Sequence, residues 1–327
     1  MGFIQYIIIF IILVLLELIY ISIARKFNIG DKVTPRSSHD EFMVSGGGII
    51  FIISSLLFYA LYNGKMPHSF NIMLCGASIL ALISFYDDVK NSAPWLRLII
   101  HIAVVAVLFY QILQNGYYDI FLLLLICGVG FINAFNFMDG INGILAGYTL
   151  VTLTTLLYCF SGIDTSQLSN FYSTFISILI VATVVFSIFN CRRNAICFSG
   201  DVGAIVMGFF IMYLMSELIF ATSNASIIVF LIVYAVDAVF TIFQRLFAGE
   251  NIFQPHRLHL YQILANQCRI SHYKIAVGYA LLQLAINVGY LLTREDLRWT
   301  YFIVITAVLT IVYFSIKRNL IKKKSTL

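Results

Sequence analysis

The chain alternates between long apolar stretches and short polar stretches from one end to the other. Eleven stretches hold roughly 17 to 25 mainly apolar residues each, the length that an α-helix needs to cross a hydrocarbon core of roughly 30 Å. They run over 3–23, 46–62, 70–86, 95–113, 120–136, 142–160, 172–189, 203–220, 226–246, 273–292 and 300–316. The pattern predicts an all-α, polytopic membrane protein with about 11 transmembrane helices. The fifth and sixth stretches are separated by only a short polar turn.

Composition supports this class. The chain is 61% hydrophobic and 11% charged, and its mean hydropathy is +0.95. It therefore has no room for a large soluble domain, and residues 1–327 are predicted to form a single integral membrane domain without a nucleic-acid partner. The first stretch lacks a basic leading segment and a small-residue cleavage site, so it is interpreted as a retained anchor. The six cysteines form no CxxC pair and are interpreted as small core residues.

The distribution of positive charge predicts the orientation. Seventeen of the 20 Lys and Arg residues fall at one set of span ends, and short cytoplasmic loops carry such an excess. The N-terminus is therefore predicted outside and the C-terminus in the cytoplasm. Four polar clusters then face the cytosol: the pair Asp87 and Asp88, the segment 133–147, Asp201 with its neighbouring glycines, and the segment 255–262.

These clusters bring carboxylates, amides, glycines and basic residues next to membrane-length helices. Polar groups at that depth are costly, so they indicate a functional site. Mg²⁺ prefers hard oxygen ligands, uses one or two carboxylates and leaves positions for substrate phosphates. Nearby Arg and His side chains complement the charge of phosphate. The residues therefore favour a magnesium-bridged diphosphate substrate, such as a nucleotide sugar.

Each cluster alone also has a structural interpretation. Asp87 and Asp88 are equally typical of a helix end that meets water, and adjacent helical residues point about 100° apart, so they do not project equally into one site. Asp201 is placed to cap an apolar helix. The asparagines of 133–147 are typical of contacts between membrane helices. His256 and His259 are also typical of the membrane interface, and no third soft ligand lies close enough to favour zinc.

Asp237 differs from the acidic residues of the four polar clusters because it lies inside the ninth apolar stretch. An unpaired charge there costs several kcal/mol, so Asp237 needs a partner or a proton. An interior contact that fixes helix packing is favoured over a direct catalytic role.

Taken in order, the polar segments resemble one family over about Gly30 to Leu264. They read GDKVTPRSSHDEFMVSGGGI, FYDDVKN with Arg97 after it, NAFNFMDGINGILAG, GDVGAIVMG, the stretch 237–245 and PHRLHLYQ. The chain is similar to the polyprenyl-phosphate N-acetylaminosugar-1-phosphate transferases, glycosyltransferase family 4. One such motif is weakly specific, whereas six in the family's order are strongly specific.

The resemblance implies that a polyprenyl phosphate, undecaprenyl phosphate in a bacterial inner membrane, attacks the β-phosphorus of a UDP-N-acetylaminosugar and releases UMP. It implies a cytoplasmic site that uses Mg²⁺, with Mn²⁺ as an alternative ion. The implied catalytic residues are Asp87, Asp88 and Asp201, and the implied metal ligands are Asp201 and Asn136. The implied substrate-binding residues are Asn133, Asp139, Asn142, Arg97, His256, Arg257 and His259.

Two departures from the family pattern affect the finer interpretation. Met43 and Val44 replace a Pro-Thr-Pro-like turn, and Gln262 stands where a common branch has histidine. PHRLHLYQ is more similar to the branch for 6-deoxy amino sugars that initiates O-antigen or other surface polysaccharide synthesis, with N-acetylglucosamine as an alternative donor sugar. A homodimer is left open.

The alternative function is a secondary transporter or lipid flippase. That class places charges near the bilayer midplane and on both faces. Of the acidic residues, only Glu17, Asp237 and Glu217 lie within the apolar stretches, and the polar clusters gather on one predicted face. A third alternative, a non-enzymatic scaffold, does not require those clusters.

Overall fold

The chain folds into helices of membrane length. A computed structural model describes residues 2–31, 43–90, 92–113, 118–163, 166–251, 254 and 256–325. Their α-helices are α1 Phe3–Lys26, α2 Ile49–Leu61, α3 His68–Lys90, α4 Pro94–Ile112, α5 Phe121–Phe137, α6 Ile144–Ser161, α7 Ser166–Asn190, α8 Gly200–Thr222, α9 Ile232–Phe247, α10 Leu260–Asn266, α11 His272–Leu292 and α12 Arg298–Ser325. Short 3₁₀ helices cover Tyr118–Ile120, Ala225–Leu231 and Glu295–Leu297, and strands β1 Gly30–Asp31 and β2 Met43–Val44 pair antiparallel.

Each of the eleven predicted stretches is an apolar helix in the described part of the chain. Nine helical segments there are long and apolar enough to cross a membrane, while α2 and α5 are shorter apolar helices of 13 and 17 residues. Lipid offers no hydrogen bonds to the backbone, so an apolar segment that crosses it must satisfy its own N–H and C=O groups as a helix. The all-α polytopic class is confirmed. The prediction did not include the short helix α10.

Helix α8 lies at the centre of the bundle. Every residue from Val202 to Ser216 is buried, and the helix packs against α2, α3, α5 and α6. In contrast, α12 exposes apolar side chains along most of its length, including Ile303, Val304 and Ile311. A membrane protein presents such surfaces to lipid. The interior therefore holds the first turn of α8, which carries Asp201, in a fixed position.

The glycine segment before α2 packs against the chain that enters α8. Gly48 N–H donates to the Ser199 carbonyl at 2.9 Å, and Phe198 N–H donates to the Val44 carbonyl at 2.7 Å. Gly200 has φ +68°, and a Cβ there would lie 2.5 Å from Asp88 Oδ2, so both conformation and space require glycine. Met43 and Val44, which stand where the family pattern has a Pro-Thr-Pro-like turn, thus form strand β2. Residues 32–42, which include the Arg-Ser-Ser-His motif, lie outside the described part.

Candidate active site

The polar ends of four helices meet at one end of the bundle. Arg97, at the start of α4, donates from Nη1 to Asp87 Oδ2 at 2.5 Å and to Asp201 Oδ2. Asn136, at the end of α5, donates from Nδ2 to Asp201 Oδ1 at 3.2 Å. Arg97 therefore bridges a carboxylate from α3 and a carboxylate from α8. Asp87, Asp201 and Asn136 thus lie together at this end of the bundle.

Asp87 and Asp88 have different partners, because they leave α3 in different directions. Asp87 Oδ1 accepts hydrogen bonds from the backbone and the hydroxyl of Ser92, the latter at 2.7 Å. Asp88 accepts from the backbone N–H groups of Asp201 at 2.9 Å and Val202 at 3.2 Å. Asp88 thus caps α8, because it accepts from N–H groups that the helix itself leaves unpaired. The capping role considered for Asp201 belongs to Asp88, while Asp201 itself faces Arg97.

Asp139 lies near the carboxylate of Asp201. It follows the end of α5 and accepts a hydrogen bond from the hydroxyl of Ser199. Burial raises the pKa of Asp139 to about 7, the hydrogen bond from Ser199 opposes the rise, and the charge of Asp201 adds to it. A neutral Asp139 adds no further negative charge next to Asp201. Its protonation therefore limits repulsion among the acidic residues of the site.

Asp139 makes stability depend on pH. Its folded pKa of about 7 lies above the ordinary value of 3.8, so the folded state binds more protons between these values. Its stabilising contribution is complete below about pH 4 and is lost as pH rises through about 7. We expect Asp139→Asn to flatten the decline in unfolding free energy between about pH 4 and 7, measured by SDS titration without Mg²⁺. The exposed control Asp119→Asn keeps the wild-type slope, and equal slopes for Asp139→Asn would contradict the assignment.

Asn133 and Asn142 lie close to the site but have structural partners. Asn133 Nδ2 donates to the Val129 carbonyl at 2.7 Å and lies 3.3 Å from Nδ1 of His101 on α4. Asn142 Nδ2 donates to the carbonyls of Arg192 at 3.0 Å and Arg193 at 3.3 Å. These contacts match the helix-packing interpretation, and substrate binding by the two residues stays a prediction.

The segment 256–259 flanks the end of α5. The rings of His256 and His259 are 4.8 Å apart, and each ring centroid lies 6.4 Å from that of Phe137, next to Asn136. His259 is buried and Arg257 is exposed. Burial and the surrounding positive charge lower the pKa of His256 to about 4, so it is neutral at physiological pH. Pro255 lies outside the described part.

Asp237 fixes the position of this segment. Its carboxylate accepts from the backbone N–H groups of Leu260 at 2.7 Å and Tyr261 at 3.2 Å and from the Tyr279 hydroxyl at 2.8 Å. Its Oδ1 lies 3.7 Å from Nδ1 of His259. Asp237 therefore caps α10 and positions His259. This is the packing role that the sequence favoured.

Sequence reasoning missed several residues that shape the site. Ser199 stands at the N-cap of α8, and its place two residues before Asp201 was an available signal. Tyr261 donates its hydroxyl to the Phe137 carbonyl at 2.8 Å and so joins α10 to α5. No sequence spacing reveals that contact, because 124 residues separate its partners.

The oxygen atoms around Asp201 fit a magnesium ion. Among the described residues, no group of three or more His, Cys, Asp or Glu side chains is arranged to hold a metal. Mg²⁺ requires only one or two protein carboxylates, because water and phosphate supply its other ligands. Asn136 presents Nδ2 to Asp201, and a rotated amide presents Oδ1 instead. Asp201 and Asn136 therefore offer a suitable pair of oxygen ligands.

Comparison with known proteins gives consistent matches. The sequence model of the family described as glycosyl transferase family 4 matches residues 70–219. A probable undecaprenyl-phosphate N-acetylglucosaminyl 1-phosphate transferase of Bacillus subtilis (strain 168) is 24% identical over 263 residues, 74% of this chain and 71% of the relative. The undecaprenyl-phosphate alpha-N-acetylglucosaminyl 1-phosphate transferase of Escherichia coli (strain K12) is 26% identical over 262 residues, 74% and 70% of the two chains.

The matched segment contains Asp87, Arg97, Asn136 and Asp201, the four residues that meet at the end of the bundle. Together with the helical membrane fold, these matches define a multi-pass membrane phospho-sugar transferase. The chain is similar to glycosyl transferase family 4 over residues 70–219 and to the two relatives over 74% of its length. This assignment favours an enzyme over the transporter, flippase and scaffold alternatives.

Proposed function

We propose that the protein transfers an N-acetylaminosugar 1-phosphate from a UDP-sugar to undecaprenyl phosphate and releases UMP. The observation that carries this proposal is Arg97 between Asp87 and Asp201, beside Asn136, at one end of the bundle. The names of the relatives support the acceptor and the sugar phosphate. The excess of Lys and Arg at this end supports a site on the cytoplasmic face of a bacterial inner membrane.

The proposed reaction is a phosphoryl transfer. An oxygen of the acceptor phosphate forms a bond to the β-phosphorus of the donor, and the bond from that phosphorus to the bridging oxygen breaks. UMP leaves with the electron pair, and the bond between sugar and phosphate stays intact. A phosphate monoester has a second pKa near 6, so the acceptor is largely ionised at neutral pH and needs little activation by a base. Catalysis then depends mainly on positioning and charge neutralisation.

The residues of the site divide this work. Asp201 and Asn136 would hold Mg²⁺, which neutralises charge on phosphate oxygens when bound. Asp87 orients the guanidinium of Arg97, whose remaining N–H groups are available for phosphate oxygens. Asp88 fixes the first turn of α8 and therefore the position of Asp201.

The segment 256–259 supplies further hydrogen-bond donors for the diphosphate, in addition to those of Arg97. Arg257 is exposed and positively charged, whereas the neutral imidazole of His256 donates a single N–H. Asp237 holds the buried ring of His259 in place. Asp139, near the end of α5, accepts a hydrogen bond from Ser199, and we assign it a contact with the nucleoside of the donor from the family resemblance.

The donor sugar and the product polymer form the finer part of the proposal. UDP-N-acetylglucosamine is the first donor to test, because the names of the relatives contain N-acetylglucosaminyl. UDP-linked 6-deoxy amino sugars follow, because PHRLHLYQ resembles the branch that uses them. We assign the product to the start of O-antigen or a related surface polysaccharide.

The direct test is transfer of radiolabelled sugar phosphate by the purified full-length protein in lipid nanodiscs. Undecaprenyl phosphate and a series of UDP-N-acetylaminosugars are supplied with Mg²⁺, with Mn²⁺ or with EDTA. We expect labelled lipid and an equal amount of UMP with one donor and a divalent ion. A folded protein that gives no labelled lipid with any donor would reject the proposed reaction.

A further inference from the structure

Lys317 lies near the cytoplasmic end of α12 but points into the protein. Only 4% of its surface is exposed, whereas the next residue, Arg318, is exposed. Lys side chains near the end of a membrane helix normally extend towards water and the lipid headgroups. The inward direction of Lys317 therefore needs an attractive group inside the protein.

The contacts of Lys317 connect α12 with α9. Its Nζ donates to the hydroxyl of Tyr313 at 2.6 Å and to Oγ1 of Thr241 at 3.2 Å. These two hydroxyls lie 2.9 Å apart, and all three side chains are buried. Thr241 Oγ1 in turn donates to Asp237 Oδ1 at 3.4 Å. A continuous chain of polar contacts thus runs from Lys317 to Asp237.

The charges along this chain are complementary. Asp237 is 2% exposed and accepts hydrogen bonds from two backbone N–H groups and two hydroxyls, the surroundings of an ionised carboxylate. The ion pairs within the described part of the chain leave Lys317 without a direct carboxylate partner. A buried cation without an opposite charge is unfavourable. Asp237, reached through Thr241, supplies that charge.

We propose that Lys317 is a positioning residue of the transfer site, which acts through Thr241 and Asp237 on the segment 256–261. This inference rests on the proposed function for its kinetic consequence, although the contact chain is independent of it. Lys317 touches no reacting group. Instead it compensates the carboxylate that holds the start of α10 and His259. A helix outside the matched segment 70–219 thereby contributes to the site.

The first test is local hydrogen exchange of the full-length protein in zwitterionic nanodiscs. Lys317→Met removes the charge but keeps an unbranched side chain of similar length. We expect it to increase amide exchange in the peptide that contains Leu260 and Tyr261 by on the order of tenfold. The matched control Arg318→Met changes the neighbouring exposed cation and is expected to leave this exchange unchanged. Lys317→Arg is expected to restore slow exchange because it keeps the charge.

The second test measures kinetics with UDP-N-acetylglucosamine and undecaprenyl phosphate. We expect Lys317→Met to raise the donor KM by on the order of tenfold and to change kcat less, because the segment 256–261 positions the donor diphosphate. The double variant Lys317→Met with Thr241→Val is expected to be no worse than Lys317→Met alone, since both changes interrupt one chain of contacts.

Two results would overturn the inference. One is wild-type exchange of the 256–261 peptide in folded Lys317→Met, and the other is a uniform increase across all helices, which would indicate a general role in folding. If Lys317→Met does not fold, Thr241→Val interrupts the chain while Lys317 keeps its contact with Tyr313, and the same exchange criterion applies. A wild-type protein without transfer activity would reject the proposed function, yet the exchange experiment would still decide the link from Lys317 to α10.

Discussion

Asp201→Asn is expected to reduce sugar-phosphate transfer by about 10²- to 10³-fold, a typical loss when one charge-stabilising group is removed from a reaction centre. The substitution keeps the size of the side chain and removes the negative charge that Arg97 and a metal ion would share. The backbone N–H of residue 201 still donates to Asp88, so the start of α8 is expected to stay in place. The initial rate of labelled lipid formation in nanodiscs measures this loss.

The matched control is Asp119→Asn, the same chemical change at an exposed position before α5, at the far end of that helix from Asn136. It is expected to keep the wild-type rate. Hydrogen exchange of the first turn of α8 tests whether Asp201→Asn has altered the fold. A correctly folded Asp201→Asn protein with at least a third of wild-type activity would exclude Asp201 as the metal-binding carboxylate.

The helices of this protein follow directly from the apolar pattern, because a long apolar segment in lipid has no alternative to its own hydrogen bonds. The break between α5 and α6 was harder to predict, because the two apolar stretches are nearly continuous and only a short polar turn with Asp139, Gly140 and Gly143 separates them. Gly143 adopts φ +83° there. Helix α10 has only seven residues and depends on a cap from α9. Such a helix carries too little local signal to predict.

The meeting of the polar clusters was also predictable, because the alternating direction of the spans places them at the same end. The contacts between individual side chains of these clusters were not predictable. The sequence placed Asp87 and Asp88 side by side, but only the packing of α3 against α8 shows that Asp88 caps the latter. Likewise, Lys317 and Arg318 are two adjacent basic residues in the sequence. A rotation of about 100° around α12 turns one into the protein and leaves the other exposed.

The same type of helix cap fixes two parts of the candidate site, the start of α8 and the start of α10. Asp88 accepts two consecutive backbone N–H groups at the start of α8, and Asp237 accepts two at the start of α10. In each case a carboxyl group from one helix satisfies backbone donors that another helix leaves unpaired. Asp201 and the segment that ends at His259 are therefore both held by carboxyl groups of neighbouring helices. Rigid placement of this kind is what phosphoryl transfer requires from the protein.

Asp237→Asn is expected to lower the free energy of unfolding by about 3 to 5 kcal/mol, the usual cost of removing one partner from a buried charged network. Both carboxylate oxygens of Asp237 accept hydrogen bonds, whereas an asparagine has one oxygen and an NH₂ group, which cannot accept from these donors. The substitution also removes the negative charge that compensates Lys317. SDS titration measures the loss, and transfer activity is expected to fall with it because α10 and His259 lose their support. Asp296→Asn, at an exposed aspartate of the Glu295–Leu297 turn, is the matched control and should unfold as the wild-type protein does. If Asp237→Asn were as stable as this control, the carboxylate would have to be neutral in the folded protein, and the link from Lys317 to α10 would then lose its electrostatic basis.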